Sequence, residues 1–182
     1  MKKIFTMGIL AALVCLMGAC GQEETAAVQE VAGDAAVTAE TTAAEGGAAY
    51  TCVLSDGTVL YIGGAADRTL SGLGEAAEIL EAPSCIHEGT DCIYTYDGYT
   101  LITSPDGTGG QILYEFSLLS DAAALQDGLT IGSDKAAVED AFGTDYTEQF
   151  GVLRYALEGA DVSVVLDPDN MVSSLVITAQ MD

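Results

Sequence analysis

Gly63 and Gly74 stand eleven residues apart, each behind a large aliphatic residue, Ile62 and Leu73. Gly132 and Gly143 repeat that interval behind Ile131 and Phe142. A chain that returns to one spacing in this way reads as a supersecondary unit used twice. Between the second pair, Ser133 suits an N-cap and Gly143 a C-terminal stop, while Ala137, Val138, Ala141 and Phe142 fall on one helical face. The first copy contains Ser71-Gly72, so its helix should be short.

Runs of alternating apolar and polar residues follow each helix, broken by Gly and Asp, and such runs read as strands joined by tight turns. The first copy offers Ala82–Glu88 with Cys92–Tyr96, then Tyr99–Ser104 and Gln111–Leu118. The second offers Gly151–Leu157, Asp161–Leu166 and Val172–Thr178. Asp97-Gly98 and Glu158-Gly159 sit at matching hairpin turns. The expected fold class is therefore α+β: a tandem repeat, over about 60–119 and 128–180, of a short helix plus three antiparallel strands. It should form one curved sheet with helices on one face. Phe142 and Leu73 are expected in the core, and Tyr94, Tyr96, Leu101, Thr103, Tyr155, Leu157, Val162 and Val164 on the face beneath the helices.

The chain opens differently. Lys2 and Lys3 precede an uncharged apolar run, Ile4–Met17, then Gly18, Ala19 and Cys20. A charged start, a short apolar core and a small-residue cleavage site make a secretory signal. The run is shorter than the roughly 20 residues of a membrane span. Leu16-Met17-Gly18-Ala19-Cys20 resembles the lipobox of bacterial lipoproteins. The resemblance implies a signal peptide over 1–19, cleavage between Ala19 and Cys20, and diacylglycerol on the Cys20 thiol. Two acyl chains anchor stably where one does not, so the chain is expected on the extracellular face of the cell membrane.

From Gly21 to Ala49 there is no aromatic residue and no Leu, Ile, Met, Lys or Arg. Nothing there can bury a face, so 20–49 reads as lipidated Cys followed by a disordered Ala/Glu/Thr linker. As a flexible chain it would span roughly 30 Å. Residues 50–182 then form one domain, the tandem repeat.

The motif Gly-Leu-Thr-Ile-Gly-Ser-Asp-Lys at 128–135, ending in Phe142-Gly143, resembles the repeat start of the beta-lactamase inhibitory protein fold and of SmpA/OmlA (BamE-like) envelope lipoproteins. Glu81–Gly89 resembles a motif from uncharacterised lipoproteins of Gram-positive anaerobes. The resemblance covers about 60–180 and implies a fold; folds host many functions.

Behind Cys20 stand three basic residues, Arg68, Lys135 and Arg154, against 28 acidic ones, a formal charge of −25. Such a surface repels nucleic acid and anionic headgroups, and suits cations or a basic protein. The expected partners are the membrane, through the Cys20 lipid, and another envelope or extracellular protein.

No cofactor, metal ligand or catalytic residue is assigned. Cys52, Cys85 and Cys92 remain after the anchor, an odd number. If Gly89-Thr90 is a two-residue turn, His87 faces Cys92, and Cys85 lies diagonally from Cys92 at roughly 7–8 Å, near the limit for a bridge. Cys85–Cys92 is the candidate disulfide. The same geometry would group Cys85, His87 and Cys92 as zinc ligands, but Cys-x-His-x4-Cys is no known zinc spacing. His87 is the single histidine and no Gly-x-Ser-x-Gly elbow accompanies it, so the chain is read as non-enzymatic. The sequence points to a lipid-anchored binding or assembly module. An inhibitor of secreted enzymes, of the beta-lactamase inhibitory type, and a metal or cation binder at an acidic or Cys/His site are the alternatives. The partner face is expected at Ile93, Thr95, Ile102, Arg154 and Val165, with Leu113 a further candidate.

Overall fold

The structure is a computed structural model that describes residues 49–181. The expected signal segment, the expected Ala19–Cys20 cleavage junction and the expected linker up to residue 48 lie outside the described residues. Strands β1 (Tyr50–Val53) and β2 (Val59–Ile62) come first, followed by helix α1 (Ala66–Leu70). Then come β3 (Glu78–Pro83), β4 (Thr90–Tyr96), β5 (Tyr99–Pro105) and β6 (Gln111–Leu118). Helix α2 (Lys135–Phe142) precedes β7 (Thr147–Gln149), β8 (Val152–Leu157), β9 (Ala160–Leu166) and β10 (Val172–Ala179).

β1 and β2 form a two-stranded sheet, and the other eight strands form one antiparallel sheet in the order β3-β4-β5-β6-β10-β9-β8-β7. Leu101, Phe116, Ile177, Val162 and Tyr155 alternate inward from five of these strands and are almost wholly buried. They share one cluster with Leu60 and Ile62 of β2, Val138 of α2, and Leu125 and Leu129 of the connection between β6 and α2. Burial of each such side chain stabilises by about 1.5–3 kcal/mol.

The expected α+β tandem repeat of a helix plus three strands is corrected by this architecture. The described residues are mostly β, with ten strands and two helices of five and eight residues. Ser71-Gly72 stops α1 after little more than a turn, and Ala65 at its N-cap gives no side-chain cap. In α2 the Asp134 carboxylate accepts from the Ala137 N–H at 2.9 Å, so the cap is Asp134 rather than Ser133. Phe142 and Leu73 pack against the core but are only half-buried. Helices this short cannot cover the sheet alone, and the β1–β2 hairpin and the 119–134 connection fill the remainder.

Tyr155 lies under α2, its ring 5.5 Å from Phe142 and 5.2 Å from Tyr146. Its hydroxyl has no hydrogen-bond partner among the described residues. Burial above all pushes its pKa up to about 12, with the negative ends of Tyr146 and Glu139 adding to the effect. Tyr155→Phe removes a buried donor that gains nothing from the fold, so the variant should be more stable by about 1 kcal/mol at neutral pH. The unfolded chain ionises this phenol near pH 10, while the fold keeps it protonated. Stability at this site is therefore complete below pH 10 and lost as the pH climbs towards 12. Thermal unfolding across that range should show a gentler alkaline fall in the variant; a lower midpoint at pH 7 would mean that the hydroxyl is bonded.

Candidate functional site

The face of the large sheet opposite the core carries no helix among the described residues. Cross-strand pairing makes rows on it. In one row Leu80 of β3 faces Ile93, Ile93 faces Ile102, and Ile102 faces Glu115. In the next, Thr95 faces Thr100, which faces Ser117, which faces Val176. Val176 faces Ser163, and Ser163 faces Arg154. Val165 lies between Val152 and Ser174 two positions further along. Ile93, Thr95, Ile102, Arg154 and Val165 thus all occupy this one face; Arg154 is exposed and the others half-buried against their strand neighbours.

Leu113 does not join them. A register shift between Ile102 and Thr103 sets Thr103 against Leu113 and Ile102 against Glu115. The extra residue turns Leu113 inward, where it is fully buried, and brings Glu115 to the outer face. There the Glu115 carboxylate accepts from the Ser117 hydroxyl at 2.8 Å.

Arg154 lies at the β7 end. Among the described residues it forms no ion pair, unlike Lys135, which meets Glu148 at 2.7 Å. The hydrogen bond that the Lys135 ammonium donates to the Glu148 carboxylate holds it well above its usual pKa. Arg68 is likewise occupied, its guanidinium 3.6 Å from the centre of the Tyr61 ring. An open cleft of about 620 Å³ surrounds Arg154, with Asp145, Asp161, Ser163 and Thr178 among its lining. The chemistry on offer is a guanidinium beside hydroxyls and carboxylates, from which a mainly Ser and Thr row crosses the sheet towards the aliphatic row of Leu80, Ile93 and Ile102.

The cysteines are not brought together. The β3–β4 hairpin pairs Pro83 with Thr90, Ala82 with Asp91 and Glu81 with Cys92. The connection is therefore Ser84–Gly89, not a two-residue turn, and the expected facing of His87 with Cys92 is corrected. Pro83 ends the strand, the Ser84 N–H donates to the Gly89 carbonyl at 3.0 Å, and the Ser84 hydroxyl oxygen accepts from the Ile86 N–H at 3.2 Å. Cys85 lies exposed in that loop, Cys92 half-buried in β4, and Cys52 buried, all three as free thiols. Burial, reinforced by Asp127, pushes the Cys52 thiol up to about 12, so it packs as a small apolar group. Among the described residues no group of three or more His, Cys, Asp or Glu is placed to hold a metal. His87 is exposed against Gly107: a Cβ there would come within 3.3 Å of the ring. The Asp167-Asp169-Asn170 stretch is a turn, with the Asp167 carboxylate accepting from the Asp169 and Met171 N–H groups, both at 2.9 Å.

Two exposed features were not expected from sequence. Ile79 and Leu80, in β3, are 56% and 51% exposed. Phe150 is 95% exposed at φ 54 and forms, with Gly151, the tip of the β7–β8 hairpin. The signal for the first was in view, as adjacent aliphatic residues bracketed by Glu78 and Glu81. No protein-family model, curated protein or solved structure matches this chain.

Proposed function

We propose that this chain is a lipid-anchored, non-enzymatic binding or assembly module of the cell envelope, held on the extracellular face through Cys20. The observation that carries the binding role is the uncovered sheet face, where Ile93 and Ile102 stand side by side and Arg154 is free of any ion pair among the described residues. The secretory start and the small-small-Cys junction support the anchor. The partner fitting this surface is a protein segment that covers aliphatic rows and offers a carboxylate to Arg154.

A photo-reactive residue placed at Thr95 on intact cells should give a discrete adduct, and one at Ala136, on the exposed side of α2, should give none. Arg154→Glu should weaken the Thr95 adduct. Equal labelling from both positions, or none from Thr95, would overturn the binding role. In the same cells Cys20→Ser should lose its lipid label and stay uncleaved by the lipoprotein peptidase; normal maturation of that variant would overturn the anchor.

A further inference from the structure

We infer that the free edge of β3 accepts an added strand from a partner polypeptide whose residues run basic-apolar-apolar-basic. This rests on the binding-module reading above and names the partner's chemistry. β3 is the last strand of the eight-stranded sheet, and all six of its residues are exposed. An edge strand is a template for pairing, and folded proteins blunt theirs with charged side chains, above all lysine, with proline, brevity or a cover. The opposite edge is blunted in this way: β7 has three residues and carries Glu148, which is tied to Lys135. β3 has twice that length and carries Glu78, Glu81 and Pro83 but no lysine, so it disfavours an acidic or identical strand while leaving a basic one able to pair.

The backbone is arranged for addition. The Ser84 N–H is used within the hairpin. By the alternation of an antiparallel ladder, the N–H groups of Ile79 and Glu81 point away from β4. Pro83 falls in the same outward set, where a missing donor costs the β3–β4 ladder nothing.

The side chains choose the partner. Glu78, Ile79, Leu80 and Glu81 form a palindrome of acid-apolar-apolar-acid. A second copy docking antiparallel would set Glu78 against Glu81 twice, and like charges directly opposite are destabilising. A strand with Lys or Arg at the ends and aliphatic residues between them meets both charges and covers both exposed side chains. No base lies on β3, β4, β5 or β6 to compete for the glutamates.

The test uses the full chain in neutral phosphatidylcholine nanodiscs and two synthetic hexapeptides, Thr-Lys-Val-Ile-Lys-Thr and the same with Glu for Lys. The lysine peptide should bind one to one and slow hydrogen exchange at the Ile79 and Glu81 amides, while the glutamate peptide should not bind. In the double variant Glu78→Lys/Glu81→Lys the preference should reverse, with the lysine peptide weakened about tenfold or more. Ile79→Pro, which removes an outward donor, should lose binding with an unchanged circular dichroism spectrum. Equal binding of both peptides, protection away from β3, or no saturable binding would overturn the inference. So would a concentration-dependent dimer with β3 amides protected, because it would make a second copy the occupant. If the Thr95 cross-link persists undiminished in the charge-swapped variant, the edge inference fails and the binding-module reading stands.

Discussion

Phe116→Ala is expected to lower the unfolding free energy by about 3–5 kcal/mol. The ring is fully buried, faces Leu101 on β5 and Ile177 on β10, and lies 5.8 Å from the Tyr99 ring. Rigid strands on both sides cannot close over the space, so the loss includes a cavity as well as transfer of the ring. Domains of this size hold about 5–15 kcal/mol in all, and this one substitution would remove a large share. Urea unfolding is the measurement. A midpoint close to that of the parent would show that the β5–β6–β10 packing is not as described.

Gly98→Ala should cost about 2–4 kcal/mol. Gly98 turns the β4–β5 hairpin at φ 86, which already disfavours a side chain. A Cβ there would also stand 2.5 Å from the Ala123 backbone nitrogen and 2.9 Å from its Cβ. The turn cannot retreat, because the Gly98 carbonyl accepts from the Leu119 N–H at 2.8 Å and the Ser120 N–H at 3.3 Å. Gly128→Ala is the matched control: φ is 88, but nothing lies within 4 Å of the added carbon. It should cost about 1–2 kcal/mol for backbone conformation alone. Similar losses for the two variants would mean that the 119–124 segment does not press on the hairpin.

What could be read in advance was what depends on short-range rules. The Asp97-Gly98 and Glu158-Gly159 turns join Tyr96 to Tyr99 and Leu157 to Ala160 as expected. The period-2 alternation separated Leu101, Val162 and Val164 from Ile93 and Ile102 correctly. The failures share a cause. A bulge leaves no trace in alternation, so Leu113 was assigned to the wrong face. β7 is three polar residues, and its pairing with β8 is a tertiary fact. The sequence places a strand at Ala82–Glu88, whereas β3 runs Glu78–Pro83 and the Ser84 turn ends it there. Helix caps are local signals that stand out in the sequence, whereas strand number is set by long-range pairing. Of the proposed surface, the interior of the face was legible and its β3 border was not.

The order of the sheet also bears on how the chain finds its fold. β3 to β6 pair each with the next in sequence, and so do β7 to β10. One seam, β6 against β10, joins residues such as Phe116 and Ile177 that are far apart along the chain. Hairpins close in microseconds, whereas a distant pairing must first bear the entropy of a long loop. The two meanders are therefore expected to form early and the seam to set the folding rate. Until it closes, β6 and β10 each present a bare edge rich in Leu, Val and Ile. The interval before that closure is when the chain is most exposed to aggregation.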